Sequence, residues 1–324
     1  MANFFEGISL SRIHKWYLDC AKTIESLTGS NSTASQLLTY YLSPDKQHAD
    51  TTKNKVCLQV LENGANEYTT GTYVLSEDYL KKTKEQSNYY NIMQKTYIPI
   101  FFSETNINKG IIPRRKNFPN KDEFEIPWVQ SLGFSSFETV GMINDLNSYI
   151  DKISDKQIHD KDFNISDIVP KDKQDKFDVF VGLHNYAVQA EVKIKLTSAY
   201  DFKKPRAGSD NKLEPESIFG SIKSWKSIFI DYYDFNQEVG FTLPNPDYTG
   251  NKSSPGKIHP EMKKVDYDDL KHGSLVKMIT AGLAKPFFVY GECQETDNRL
   301  LIKNRRIKKW GKELLYYWHL LYLQ

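Results

Sequence analysis

Asp178, followed thirteen residues later by Glu191-Val192-Lys193, is the one spacing in this chain that suits catalysis. These residues lie within FDVFVGLHNYAVQAEVKIKLTSAYDF, from Phe177 to Phe202. Val179 and Val181 precede a Gly182-Leu183-His184-Asn185 turn, and apolar and polar residues alternate from Ala190 to Leu196, which reads as a β-hairpin half buried in a sheet. On that hairpin Asp178 opens the first strand, while Glu191 and Lys193, two apart on the second, share a face. Hard carboxylate oxygens suit Mg²⁺, and such an ion stabilises the charge that builds on a phosphate. Alternating Glu and Lys on the wet face of an amphipathic strand, with Asp178 punctuating a strand start, is the other reading of the same residues.

An acid at the start of one strand and Glu-x-Lys on the next resembles the catalytic pattern of the PD-(D/E)xK nuclease superfamily. Phe177 stands where that family has its usual Pro. The resemblance implies that Asp178 and Glu191 hold Mg²⁺ and that Lys193 orients or activates the attacking water. Mg²⁺ is the one cofactor in view, and only under this reading.

A second group of residues could bind an anion. From Asn298 to Lys312 there are seven cations and no acid, namely Arg299, Lys303, Arg305, Arg306, Lys308, Lys309 and Lys312, with Trp310 among them. Such a stretch suits nucleic-acid phosphates or an anionic membrane surface, with the aromatic ring available for stacking or interfacial insertion. A solvated basic turn is the alternative. Net charge decides how such a segment must act. With 43 basic and 41 acidic side chains the chain carries a net +2, so no global field steers nucleic acid, and any polyanion must be met by a local patch.

Other chemistries are poorly served. No GxSxG, P-loop, HExxH, dinucleotide fingerprint or EF-hand loop is present. Cys20, Cys57 and Cys293 are far apart and form no CxxC, which fits a reducing compartment and gives no zinc motif. His14, on a helix flank, reads as packed or surface. His159, Asp160 and Asp162 sit in a charge-alternating run that reads as a linker. The N-terminus lacks the charged and apolar regions of an export signal, and nowhere are eighteen consecutive residues apolar. The expectation is therefore a protein without a transmembrane segment, cytoplasmic in the cell that makes it.

The elements that must position these residues follow from periodicity. Ser9 to Leu27 and Thr33 to Leu42 read as amphipathic helices, with Gly29 and Pro44 as their stops. Val56 to Leu61, Tyr68 to Leu75 and Thr96 to Phe102 read as strands, and Ser76 to Asn91 as helix-prone. A polar connection is expected over 103–122, and a packed helical element over 125–153. Trp225 to Tyr232 reads as a strand closing on Tyr233-Asp234-Phe235, a device that repeats Tyr200-Asp201-Phe202. The two aspartates cap turns in that reading; the alternative brings Asp201 and Asp234 together in a site. A Pro/Gly/Asn loop follows at 243–264. A helix is expected over 268–283, and strands in FFVYGEC and over 299–303.

Four of these segments resemble, in order, an uncharacterised bacterial domain family associated with type VI secretion cargo. They are the ASQLLTYYLS helix, the IPWVQSLGF…INDL helix, the LHNY hairpin and the SIFIDYYDFN strand. They span roughly positions 34 to 236. The resemblance implies an effector or toxin role, delivery to other cells without a signal peptide, and a secretion-apparatus or immunity protein as partner. It carries no catalytic residues, so whether the chain is an enzyme stays open. A non-enzymatic binding or adaptor protein is the third class. The fold expectation is α+β, a mainly helical N-terminal half packed on a β-rich, antiparallel C-terminal half, with subdomains at 1–160 and 161–324.

Overall fold

A computed structural model of the chain describes residues 9–29, 31–61, 65, 68–102, 124–135, 169–183, 185–199, 217–234, 241–244, 262–265, 274–303 and 305–306. It is α+β, with helices gathered toward the N-terminus and strands toward the C-terminus. The main sheet contains β1 (Gly71–Val74), β2 (Phe124–Ser135), β3 (Asn185–Ala199), β4 (Ser217–Tyr233), β7 (Phe287–Gln294) and β8 (Arg305–Arg306). Its strand order is β1-β7-β4-β3-β2, with β8 also pairing β4. β5 (Phe241–Pro244) and β6 (Met262–Val265) form a separate antiparallel pair. The main sheet is mixed: β1 runs parallel to β7, with Gly71 opposite Phe287, whereas β8 runs antiparallel to β4. Among the described residues no helix is long and apolar enough to cross a membrane.

The chain forms two compact units, each assembled from three segments. The first comprises Met1–Asn88, Gly133–Val188 and Phe229–Glu292; the second comprises Tyr89–Leu132, Gln189–Ile228 and Cys293–Gln324. The expected boundary at 160/161 falls outside the described residues.

The first unit is built on α1 (Leu10–Thr28), α2 (Thr33–Tyr41), α3 (Thr51–Leu61), α4 (Glu77–Gln86) and α7 (Lys171–Gly182). Ile13, Trp16, Tyr17, Cys20, Ile24 and Leu27 recur every three or four residues along α1 and are all buried. Gly29, at φ +90°, ends that helix where a side chain would be strained. Ser32 and Ser76 cap α2 and α4 by accepting from the backbone N–H of Ser35 and Tyr79. His14 Nε2 donates to the carbonyl of Leu42 at 2.8 Å, tying α1 to the end of α2.

Several expected strands are helices, each for a local reason. The strand expected at 56–61 is the second half of α3, because the Asp50 carboxylate accepts from the N–H groups of Thr52 and Lys53 and starts a helix there. The first strand of the expected hairpin is the end of α7. Its Lys/Asp/Gln-rich start favours helix, and packing against α2 and α4 overrides the β preference of Val179, Phe180 and Val181. The strand expected at 96–102 is the last part of a helical run in the second unit: α5 (Tyr89–Ile92), a π turn (Met93–Tyr97) and α6 (Ile98–Phe101). The backbone N–H of Ile98 reaches the Met93 carbonyl, five residues back. Pro99, which lacks an N–H and crowds the carbonyl four residues before it, makes that widened turn intelligible.

Conversely, the start of the helical element expected over 125–153 is strand β2, Phe124–Ser135. Phe124, Ile126, Trp128, Leu132 and Phe134 occupy alternate positions, a strand period, and Pro127 is tolerated because β2 ends the strand order. The remainder of that element, the connection at 103–122 and the run at 151–168 lie outside the described residues, as does Asp201. The loop expected at 243–264 is strand at both ends, where β5 and β6 pair, and its middle, 245–261, lies outside the described residues.

In the second unit β3 buries Ala190, Val192 and Ile194 on one face, and β4 buries Trp225, with its ring 5.5 Å from that of Phe101. Trp225, Phe101 and Tyr89 are among the largest fully buried side chains, and burial of each stabilises the unit by about 2–3 kcal/mol.

Candidate functional site

The described part of the basic segment, and the residues just before it, are held to β4 by backbone hydrogen bonds. Glu295 N–H donates to the Trp225 carbonyl at 2.7 Å, Ile222 N–H donates to the Ile302 carbonyl at 2.8 Å, and Arg305 and Arg306 pair with Gly220 and Phe219 as β8. The strand expected at 299–303 is thus displaced to 305–306, with a turn before it. The turn has a local cause. Asp297 Oδ1 accepts the backbone N–H of Arg299 at 2.7 Å, an Asx-type closure between residues two apart.

The same aspartate grips the arginine side chain. Arg299 Nε and Nη2 both donate to Asp297 Oδ2, at 2.9 and 2.5 Å, and the guanidinium carbon lies 3.6 Å from the centroid of the Tyr90 ring. That is well within cation–π distance. Gln94, on the π turn, donates to the Arg299 carbonyl at 3.3 Å. Farther along, Arg305 sits 5.9 Å over the Phe102 ring, Lys303 is exposed, and Lys223 is exposed on β4.

Beneath the segment lies a buried polar chain with a consistent direction. Trp225 Nε1–H donates to Ser227 Oγ at 2.9 Å, Ser227 and Tyr89 share a hydrogen bond of 2.6 Å, and Tyr89 O–H donates to Glu295 Oε1 at 2.9 Å. Because Tyr89 has one proton and gives it to Glu295, Ser227 must donate to Tyr89 while accepting from Trp225. The chain ends at a carboxylate, the only member without a proton to give. Burial, and then the Glu295 charge, push the Tyr89 phenol well above its ordinary pKa, so it stays a donor. Two neighbouring tyrosines of α5 therefore hold the two ends of one turn: Tyr89 takes Glu295, and Tyr90 underlies Arg299.

Lys308, Lys309 and Trp310 lie outside the described residues. Arg299, Lys303, Arg305 and Arg306 are thus the part of the basic segment that the structure places, all in the second unit. Sequence reasoning missed Tyr89, Tyr90, Ser227, Glu295 and Asp297. Only Asp297, two before Arg299, carried a local signal; Tyr89 and Glu295 are 206 residues apart.

The catalytic set is placed differently from the hairpin reading. Asp178 lies on α7 and not at a strand start, and its side chain is 1% exposed. Its Oδ1 accepts from Ser32 Oγ at 2.7 Å and from Ala34 N–H at 3.0 Å; Oδ2 accepts from Thr33 N–H at 3.4 Å and lies 3.5 Å from Lys82 Nζ. Donors surround this carboxylate, which therefore completes the N-terminal cap of α2. A Mg²⁺ ion would have to displace them, so Asp178 does not fit as its ligand. Glu191 and Lys193 are exposed on one face of β3, opposite the buried Ala190, Val192 and Ile194. No cluster of three or more metal-ligating side chains occurs among the described residues.

Two other groups bear on chemistry. Asp231, on β4, is raised by burial to about 7, with Asp234 adding repulsion, while Tyr232 N–H donates to its Oδ1 at 2.8 Å. Burial pushes the Cys57 thiol up to about 12, which leaves little nucleophilic thiolate at neutral pH. No family model, no curated protein and no solved structure matches the chain.

Proposed function

We propose that this chain is a binding protein for nucleic acid, acting through the segment 299–306 of its second unit. The observation that carries this reading is the fixed placement of the cations. Arg299 is clamped by Asp297 over Tyr90, and Lys303 and Arg305 follow on backbone bonded to β4. Cations on ordered backbone meet a phosphate chain without first losing the conformational entropy of a loose loop. Exposed Lys223 and Lys193, on strands of the same unit, add to the positive character. The affinity expected is that of sequence-independent binding, a Kd of roughly 1–100 μM at physiological salt.

Fluorescence anisotropy with labelled oligonucleotides tests this. Binding that weakens about tenfold or more in the Lys303→Ala/Arg305→Ala double variant supports it, since each cation that pairs with a phosphate is worth about 1 kcal/mol. Absence of binding at low salt, or binding indifferent to both substitutions, rejects it.

The resemblance of positions 34–236 to type VI secretion cargo favours a second, compatible reading, in which the chain acts as an effector inside a target cell. Inducible expression in bacteria separates the possibilities. Growth arrest relieved by Lys303→Ala/Arg305→Ala joins the two readings, and arrest relieved only by Glu191→Ala or Lys193→Ala moves activity to β3. Normal growth removes the toxin reading.

A further inference from the structure

We infer that Arg299 and Tyr90 form a stacking platform for an unpaired base, so that the nucleic acid taken by this segment is single-stranded. The inference rests on the binding reading above and narrows it.

A guanidinium can meet a polynucleotide in two ways: its Nε/Nη edge forks onto a phosphate, or its plane stacks on a base. Here the Nε/Nη2 edge is engaged. Nε and Nη2 both donate to Asp297 Oδ2, and the Asp297 charge offsets that of the arginine. The guanidinium plane is a second surface that a ligand can meet, and the side chain is 49% exposed. The plane is also preorganised: Asp297 fixes its edge, Tyr90 supports it from 3.6 Å, and the Asx closure fixes the backbone that bears it. Tyr90 is itself braced by Tyr89, whose ring meets it edge-on at 5.2 Å and 86° while the Tyr89 hydroxyl holds Glu295. An ordinary surface arginine has no such support.

A rigid cationic plane on an aromatic ring is a surface on which any base can lie, because every base has a π face. Bases inside a duplex present edges and not faces, so only unpaired bases can use it. Lys303 and Arg305, which follow toward and along β8, supply the charge that holds the adjoining phosphates. The division of labour is specific: Arg299 reads the base, and Lys303 and Arg305 read the backbone.

The test uses the full chain and three labelled probes: a twelve-nucleotide oligothymidylate, the same backbone made abasic, and a matched duplex. The wild type should bind the oligothymidylate about tenfold tighter than the abasic strand, the value of one stacked base, and tighter than the duplex. Arg299→Lys, which keeps the charge but removes the plane, should erase that preference. Tyr90→Phe should retain the preference and so report that the fold is intact, whereas Tyr90→Leu should abolish it. Equal binding of the abasic strand and the oligothymidylate by the wild type overturns the stacking inference and leaves the phosphate-binding reading standing. Failure to bind any of the three probes overturns both. Retention of the preference in Arg299→Lys assigns Arg299 to holding its turn, and the inference falls.

Discussion

At the scale of single residues, the described acids divide by what surrounds them. Asp178 is ringed by donors, Glu295 receives a phenol, and Asp231 is half-buried with one backbone N–H and a second acid nearby. Asp231 therefore makes stability depend on pH. Its folded value, about 7, lies above the ordinary value of 3.8, so the folded state holds a proton that the unfolded chain has released. The stability this contributes is full below about pH 4 and is lost as pH rises through 7. Asp231→Asn should remove that dependence and raise stability at pH 8 by at least about 1.4 kcal/mol, the equivalent of one pKa unit. Urea denaturation at pH 5 and pH 8 measures it, and an Asn variant no more stable than wild type at pH 8 would contradict the assignment. Tyr89→Phe removes one hydroxyl but leaves both Ser227 and Glu295 short of a partner in the interior. Its expected cost is about 1–3 kcal/mol, readable as a lowered urea midpoint; a loss below about 0.5 kcal/mol would mean that water replaces the hydroxyl.

At the scale of elements, the first unit depends on one helix finishing another. The Asp178 side chain of α7 supplies the α2 N-terminus with acceptors for Ala34 and Thr33 and also binds the capping residue, Ser32. Asp178→Ala should cost about 2–3 kcal/mol, and Asp178→Asn, which keeps one acceptor oxygen, markedly less. Equal losses in the two variants would show that charge, and not capping geometry, is what matters. Four residues on, Gly182 marks how closely α7 approaches its neighbours. A Cβ there would lie 2.5 Å from Tyr79 Oη and 3.3 Å from the Ala34 backbone. Tyr79 is buried and its hydroxyl donates to the Asp178 carbonyl, so it cannot easily retreat. Gly182→Ala should destabilise by about 1–3 kcal/mol through overpacking, and unchanged thermal stability would show that the helices shift apart at little cost.

At the scale of the whole molecule, charge balance shapes the binding proposal. A net charge of +2 on 324 residues produces no long-range attraction, so the local segment must carry the electrostatic part of binding. With roughly three or four phosphates engaged, the logarithm of the affinity for single strands should fall with the logarithm of salt at a slope of about −2 to −3. Lys303→Ala should reduce that slope by about 0.7. Titrations between about 50 and 300 mM salt, a range that brackets a Debye length of about 10 Å, would show it. A slope near zero would remove phosphate pairing from the account.

What the sequence determined by itself was whatever depends on neighbours along the chain. The period of three and four residues in α1 and α2, the alternation in β4, the apolar run of β7, the α+β class and the cation-rich run from Arg299 onward could all be read directly, because each repeats or accumulates locally. Short apolar runs such as VCLQVL and DVFVG could not be assigned, since β-branched residues fit a strand or a packed helix, and caps and tertiary packing decide between them. Asp178 was legible as an acid but not as a cap, for Ser32 lies 146 residues away. The pairing of Tyr90 with Arg299, and of Tyr89 with Glu295, was equally hidden. Only folding brings α5 against the turn after β7, and that approach turns a run of charge into an oriented plane.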